Sequence, residues 1–581
     1  MDALLSSQLP ALVIGSVVLF LGAYLFYLWL LPKPIPGIPY NAKATRSLFG
    51  DIPDMLDHLD RNKTLPDWME AQNARYNSPI VQLFFYVFQK PVVVISDFKE
   101  SQDILMRRSK EFDKPDMISD AFYGIVRDHH TLLKSGDEKF KSQRKWLQDL
   151  MSQTFLHGVA GPHLHKTFME LVQMWQEKMR LAGPEGCPYS VKTDIAHSAL
   201  EAIWAAMFGT GETATITMKQ IDLLSSIEPG SIKASSDGAL QIPQADRAPT
   251  FDAILRLTHT FEGVVQSVSP RIYGWFLPYR FPKLVKLKDQ LIIDEINKAQ
   301  RRMHDINGEQ GKVFNAVDHM LYREKQQATK EGRKPQYYSK AMIAEIFGLL
   351  IAGHDTTSTT LMWIMKLLTG HPTIQSKLRA ELRASYSAAH AEARVPTAQE
   401  ITNTPVHYLD ACLEELLRCA QTASIPSRTT TTDAVVLGSV IPKGTRVVLL
   451  GCGGGIMKPS YPVADSLRST TYHNASGGKT AAWDESNAAQ LAALNPDRWL
   501  RSRADGSRVF DAALGPHLSF GAGPRGCFGR KLASLELRIA LVLILWHFEM
   551  LDLPAHLDTY AAVDQLTCVP VQCYARLARA G

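Results

Sequence analysis

Apolar positions fall into several patterns along the chain. From Ala11 to Leu31 they are nearly continuous, with no charged residue. At about 20 residues such a run is long enough to cross a bilayer as a helix. Tyr24, Tyr27 and Trp29 crowd its C-terminal half, as an interfacial aromatic belt would. Pro32, Pro34, Pro36 and Pro39, with Gly37 among them, follow as a stiff extended hinge. From about Tyr40 the period is mainly helical, with short strands. Ile80 to Phe85 and Pro91 to Ile95 are rich in Val, Ile and Phe and read as a hairpin. Phe122 to Leu133 and Glu228 to Asp246 read as loops. Arg256 to Val285 is apolar and aromatic, with Ile272, Tyr273, Trp275, Phe276 and Leu277 together. That stretch suits either a surface dipping into a membrane or an ordinary buried helix pair. Ser339 to Leu368, Tyr408 to Arg418 and the run from Leu532 have helical periods.

Charge and composition narrow the partners and the compartment. The 581 residues carry a net charge of +5 and no long basic tract, so no nucleic-acid partner is expected. The seven cysteines are odd in number and irregularly spaced, which is not a disulfide framework and fits a reducing compartment. No Lys or Arg precedes the apolar run, and Pro-Lys-Pro follows it in place of a small-residue cleavage site, so it does not read as a signal peptide. Lys33, Lys43 and Arg46 lie just beyond the run, which places the bulk of the chain on the cytosolic side.

Two interruptions of the apolar pattern carry chemistry. Phe520-Gly521-Ala522-Gly523-Pro524-Arg525-Gly526-Cys527-Phe528-Gly529 is a glycine-rich turn that presents one cysteine just ahead of a helix. Free backbone N–H groups and the positive helix end favour a thiolate there. One thiolate cannot build a zinc or iron–sulfur site. It does suit a haem iron, whose porphyrin already fills four positions. The second interruption is Ala352-Gly353-His354-Asp355-Thr356-Thr357, inside the long apolar helix. Gly353 weakens a helix, Thr356 and Thr357 can bond back to earlier carbonyls, and Asp355 is a charge needing partners in an otherwise buried segment.

Both stretches resemble the cytochrome P-450 haem-thiolate monooxygenases, of the membrane-bound eukaryotic, microsomal and fungal-like type. The first is similar to that family's F-x-x-G-x-R-x-C-x-G loop, with Phe520, Gly523, Arg525, Cys527 and Gly529 at its fixed positions. The second is similar to (A/G)-G-x-(D/E)-T-(T/S). The resemblance implies a mainly α fold with small β-sheets. It implies one large haem domain over 40–581 behind a short luminal segment 1–10, an anchor helix 11–31 and the hinge 32–39.

The same resemblance assigns roles by position. Cys527 becomes the axial iron ligand and Phe520 the ring shielding its sulfur, with Gly529 completing the loop. Arg144, Arg428 and Arg525 become partners of the haem propionates, and Asp355 and Thr356 the proton-delivering pair. Ala352 and Gly353 leave room above the haem, and His354 turns outward. Where the family has Trp four residues before Arg144, this chain has Phe140, which lacks the indole donor. Glu415 and Arg418 match a structural E-x-x-R, joined by Arg498 from a later loop.

Implied cofactors are haem b, with dioxygen and NADPH as co-substrates through an NADPH-cytochrome P-450 reductase, and cytochrome b5 as a second electron donor. The implied substrate is an apolar small molecule, and the implied location the endoplasmic reticulum membrane. Two other functions use the same residues: a haem-thiolate isomerase or dehydratase without dioxygen, and a non-catalytic haem- or lipid-binding membrane protein. The segment Tyr461 to Gln490 departs from the family pattern, on the side where electron partners would dock.

Overall fold

Ile, Val and Leu fill every position of Ile80–Leu83 and Val92–Ile95 except Gln82, and both strands are fully buried. They pair antiparallel, Ile80 opposite Ile95, as the hairpin reading expects. The computed structural model describes residues 2–61, 64–85, 90–114, 122–184, 186–209, 215–265, 270–305, 315–475 and 487–581. These divide into two compact units.

The first unit comprises Met1–Asp113, Ser427–Gly454 and Ser460–Gly477. Its centre is a five-stranded sheet in the order Ile80–Leu83, Val92–Ile95, Arg446–Leu449, Ser427–Thr430, Phe112–Asp113. Val92–Ile95 runs parallel to Arg446–Leu449, and the other pairs are antiparallel. Gln82 is a buried amide within this sheet, and a buried amide must find partners. It donates to the carbonyls of Ile35 and Ile38 at 2.8 and 2.7 Å and accepts the Ile35 N–H at 2.7 Å. The proline-rich segment is therefore docked on the sheet, with Ile35 and Ile38 buried, rather than standing free.

Part of the atypical Tyr461 to Gln490 segment is likewise anchored in this unit. Arg468 pairs with Asp97 at 2.9 Å, and Ser469 and Thr471 donate to Asp103 at 2.6 and 2.8 Å. Residues 476–486 of that segment lie outside the described residues.

The first helix runs Asp2–Leu30. Its described large apolar side chains from Ile14 to Trp29 are all exposed, Leu19 and Phe20 by 72% each. Among the described residues no helix is long and apolar enough to cross a membrane, so a transmembrane helix is not shown.

The second unit comprises Lys114–Pro426, Gly455–Pro459 and Gly478–Gly581 and is mainly helical, as expected. The long helix Lys340–Thr369 begins at Ser339, whose hydroxyl accepts the Met342 N–H at 3.2 Å. It packs on Lys192–Phe208 and on Arg530–His547. These helices share one apolar core that includes Trp175, Phe347, Leu350 and Leu541. All seven cysteines are free thiols, consistent with a chain that uses no disulfide.

The helix His407–Ala420 carries the predicted Glu415–Arg418–Arg498 cluster. Arg418 grips Glu415 with two nitrogens at 2.7 and 2.8 Å, and Arg498 reaches the same carboxylate at 3.2 Å. Trp499 Nε1 and the Asn495 N–H also donate to it, each at 2.8 Å. The remaining guanidinium protons go to the carbonyls of Ile456, Leu491 and Ala493. A fully buried ion pair is tolerable only when its hydrogen-bonding capacity is used in this way.

Removing one partner would strand a buried charge. Arg418→Ala is expected to cost about 3–5 kcal/mol of stability, read as a fall in the urea or thermal unfolding midpoint, with Arg498→Ala milder because Arg498 is less buried.

Candidate active site

The Cys527 loop is shaped by its glycines, though not all act alike. Gly521 and Gly523 have φ of +60° and +68°, a region that side chains rarely enter. Gly526 has φ −59° and needs no such freedom. A Cβ there would lie 3.2 Å from the Gly523 carbonyl oxygen, so its glycine supplies room. The Cys527 N–H donates to the Phe520 carbonyl at 2.8 Å, closing the turn. Gly529 then caps the helix Arg530–His547.

The sulfur accepts the Gly529 N–H, which together with the Arg530 guanidinium lowers the thiol pKa. Burial outweighs both and holds that pKa above its ordinary value, although one face of Cys527 is exposed. The helix terminus alone therefore does not make a thiolate here. A bound metal cation would, because coordination removes the proton outright. The Phe520 ring lies beneath Arg530, 5.5 Å from its guanidinium carbon.

Arg144 and Arg525 meet at one ring. Arg525 stacks over Phe140 at 4.1 Å and Arg144 over the same ring at 5.4 Å. Arg144 also faces the Phe528 ring at 5.4 Å and donates to the Pro524 carbonyl at 3.0 Å. Arg525 donates to Ser135 Oγ at 2.7 Å and to the Leu133 carbonyl. Phe140, where a Trp would be usual, thus serves as an aromatic plate between two cations. Arg428 lies in the other unit, buried in the strand Ser427–Thr430 and paired in register with Val447.

The helix Lys340–Thr369 is unbroken through its polar interruption. Thr356 and Thr360 bond back to the carbonyls of Ala352 and Thr356, each at 2.8 Å. Ala352 is exposed halfway along a helix that is otherwise largely buried, which marks open space beside it. Gly353 does not contribute to that space. A Cβ there would meet Ile203 at 2.6 Å, so this glycine lets the helix Lys192–Phe208 approach. His354 is buried rather than turned outward, with Nδ1 2.9 Å from the Leu350 carbonyl oxygen, and burial lowers its pKa. Asp355 accepts from Thr567 Oγ1 at 3.1 Å.

Two groups escaped the sequence reading. Glu536 is fully buried and accepts a hydrogen bond from Thr357. Burial drives its pKa well above the usual carboxylate range, which keeps it neutral. This bond joins the helix that follows Cys527 to the helix that carries Asp355 and Thr356. The period alone, with a Glu set among apolar positions of Leu532 to Leu545, was the available signal.

The second group is His129, His130 and Glu345. Glu345 accepts the His130 N–H at 2.6 Å and lies 2.7 Å from His130 Nδ1, with His129 Nε2 at 3.3 Å. Burial holds His129 down to about 4 and His130 down to about 3 from 6.5, and Arg144, Arg525 and Lys114 lower His130 further. That much positive charge nearby opposes a divalent cation, and the cluster reads as a hydrogen-bonded knot between a loop and the long helix. Sequence separation of 215 residues hid it.

The donor set fits a haem. It offers one exposed cysteine, an opening beside Ala352, and two guanidiniums on one ring, an arrangement suited to paired carboxylates. The known proteins that the chain is similar to agree. The sequence model for Cytochrome P450 matches residues 58–455 and 493–561. The chain is 34% identical over 586 residues to Cytochrome P450 monooxygenase TRI13 of Fusarium sporotrichioides, covering 96% of this chain and 98% of that one. It is also 34% identical over 571 residues to Cytochrome P450 monooxygenase xilC of Penicillium crustosum, covering 97% and 95%. The fold is similar to the crystal structure of the cytochrome P450DA heme domain, with a TM-score of 0.64 at 18% identity over 94% of this chain and 98% of that one.

Cys527→Ala should abolish the red-shifted Soret band that a thiolate ligand gives the reduced carbon monoxide complex. A variant that keeps the band removes Cys527 as ligand. The two neutral histidines make a second expectation. Their folded pKa values lie below 6.5, so the unfolded chain binds protons first as pH falls. Their contribution is complete above 6.5 and is lost progressively towards 4 and 3. Urea midpoints at neutral pH and at about pH 5 should differ less in His130→Gln than in the unmodified chain.

Proposed function

The chain belongs to the cytochrome P450 family of haem monooxygenases, and from that premise we propose that it inserts one oxygen atom from dioxygen into an apolar small molecule in secondary-metabolite or lipid and terpenoid biosynthesis. The observation carrying this reading is the intact Asp355-Thr356 pair, on a helix bonded through Thr357 and Glu536 to the one that follows Cys527. Haem b, with dioxygen and reductase-delivered electrons from NADPH, supplies oxidising power sufficient for unactivated C–H bonds.

In this reading each residue has a distinct task. Cys527 would hold the iron through its sulfur, and Gly529 would tune that sulfur through its N–H. Phe520 covers the loop, and its carbonyl fixes the Cys527 backbone. Arg144 and Arg525 hold the acidic edge of the cofactor across the Phe140 plate. Arg428 is a further propionate partner by family position. Asp355 accepts and passes protons, and the Thr356 hydroxyl donates to the reacting oxygen. The intact acid–hydroxyl pair favours dioxygen chemistry over an isomerase, a dehydratase or a carrier, none of which needs proton delivery to oxygen.

Two features support a membrane-bound enzyme on the endoplasmic reticulum, served by an NADPH-cytochrome P-450 reductase and cytochrome b5. The first is the charge-free run Ala11 to Leu31. The second is the helix Pro270–Arg280, where Ile272, Trp275, Phe276 and Tyr279 are 47–71% exposed while Leu277 is buried. Exposed aromatics of this kind suit a lipid headgroup boundary.

Reconstituted with the reductase, the chain should consume NADPH and dioxygen, and isotopically labelled dioxygen should leave one labelled atom in the product of an apolar substrate found by spectral binding. Thr356→Ala should lower product formation by about 10²-fold or more while the carbon monoxide spectrum is retained. Label arriving from water, or turnover without dioxygen, would overturn the monooxygenase reading. In cells, deletion of residues 2–31 should weaken sedimentation with membranes, and an unchanged distribution would remove that run as an anchor.

A further inference from the structure

The sequence reading leaves the chain beyond the Arg530–His547 helix without a functional role, yet it touches the relay acid. Strands Ala562–Asp564 and Cys568–Pro570 pair antiparallel, and Thr567 lies in the turn between them. Thr567 is 4% exposed. Its hydroxyl oxygen is 3.1 Å from Asp355 Oδ2 and 2.9 Å from Thr359 Oγ1. Trp363 Nε1 donates to the Cys568 carbonyl at 2.7 Å. Asp355, Thr359 and Trp363 are four residues apart and share one helix face. Three successive turns of the long helix are thus bonded to two adjacent hairpin residues. From the other side, the Cys568 N–H donates to the Thr422 carbonyl at 3.0 Å, and Thr422 Oγ1 lies 2.9 Å from Thr360 Oγ1.

We propose that Thr567 is a positioning residue for Asp355, holding its carboxyl in place through a directed row of hydroxyls from Thr359. The direction follows from donor counting. An ionised carboxylate only accepts, so the single hydroxyl proton of Thr567 goes to Asp355. Thr567 must then accept from Thr359. When Asp355 takes up a proton it becomes able to donate, and the row adjusts by rotating hydroxyl protons while the heavy atoms stay put. The acid therefore keeps one orientation in both protonation states, which repeated proton transfer requires. A hairpin distant in sequence becomes part of the relay's support. The inference rests on the reading of Asp355 as relay acid.

The test uses the full-length haem-loaded chain with an NADPH-dependent flavoprotein reductase and dioxygen alone, without organic substrate. Each NADPH supplies two electrons. Peroxide formation uses two electrons and two protons per dioxygen, whereas reduction to two waters uses four of each. The peroxide-to-water ratio therefore reports proton delivery. Thr567→Val, which keeps shape and removes the hydroxyl, should raise that ratio about tenfold, the effect of one hydrogen bond to a charged group. Thr567→Ser should restore it. Infrared difference spectra, with the Asp355 bands assigned through Asp355→Asn, should show those bands shifted in Thr567→Val and unshifted in Thr567→Ser.

In the Asp355→Asn background, Thr567→Val should add no further increase, because it acts through the acid. If Asp355→Asn leaves the ratio unchanged, the relay reading itself fails. If Asp355→Asn raises the ratio while Thr567→Val neither raises it nor shifts the infrared bands, the positioning role fails and the relay stands. An additive effect in the double variant likewise overturns the role. A reduced carbon monoxide spectrum like that of the unmodified chain verifies folding in each variant.

Discussion

One hydrogen bond between buried groups sets the relation of the two stretches that carry the chemistry. Thr357 donates to Glu536 in an apolar seam, where neither group has water as an alternative. A carboxylic acid is tolerable there because burial suppresses its charge, although its Oε1 has no hydrogen-bond partner. Thr357 adjoins Thr356 on the long helix, and Glu536 lies on the helix that starts just beyond Cys527. Sliding either helix by a turn would take the Thr357 hydroxyl away from a buried acid whose Oε1 already lacks a partner. The register between the sulfur loop and the acid–hydroxyl pair is therefore held by a polar cost as well as by packing.

The site shows how charge is managed in a water-poor interior. Glu415 satisfies its carboxylate with Arg418, Arg498, Trp499 and the Asn495 backbone. Glu345 is satisfied by the backbone N–H and ring of His130, which burial keeps neutral. Asp355 is left more open, held by a hydroxyl rather than by a cation. That difference suits the relay role proposed for it, because an ion pair would favour one protonation state. Arg144 and Arg525 both face the Phe140 ring and donate to neutral oxygens, Arg144 to the Pro524 carbonyl and Arg525 to Ser135 Oγ and the Leu133 carbonyl.

Departures from the family pattern acquire physical meaning in this setting. Phe140 loses the indole donor but keeps the flat surface that two guanidiniums use. The atypical segment after Tyr461 is tied by Arg468, Ser469 and Thr471 to Asp97 and Asp103, so its first part is an integral piece of the sheet-containing unit. The proline-rich segment is bonded to Gln82, which couples whatever precedes it to the sheet.

Much of this was determined locally. The helical periods, the strands Ile80–Leu83 and Val92–Ile95, the cap at Ser339, the turn around Cys527 and the i,i+3 pair Glu415–Arg418 all depend on neighbours within a few residues, and the sequence alone specifies such relations. The resemblance added Arg498 as the third partner of Glu415. Other features depend on partners 150 or more residues away, and only tertiary packing decided them. The Gly353 contact with Ile203, the Glu345 knot with His129 and His130, the Thr357–Glu536 bond and the grip of Thr567 on Asp355 are of this kind. The sulfur shows the same division. Its place ahead of a helix was legible in the sequence and argued for a thiolate. The folded surroundings desolvate it and reverse the balance, because burial is a property of the whole packed unit rather than of the loop.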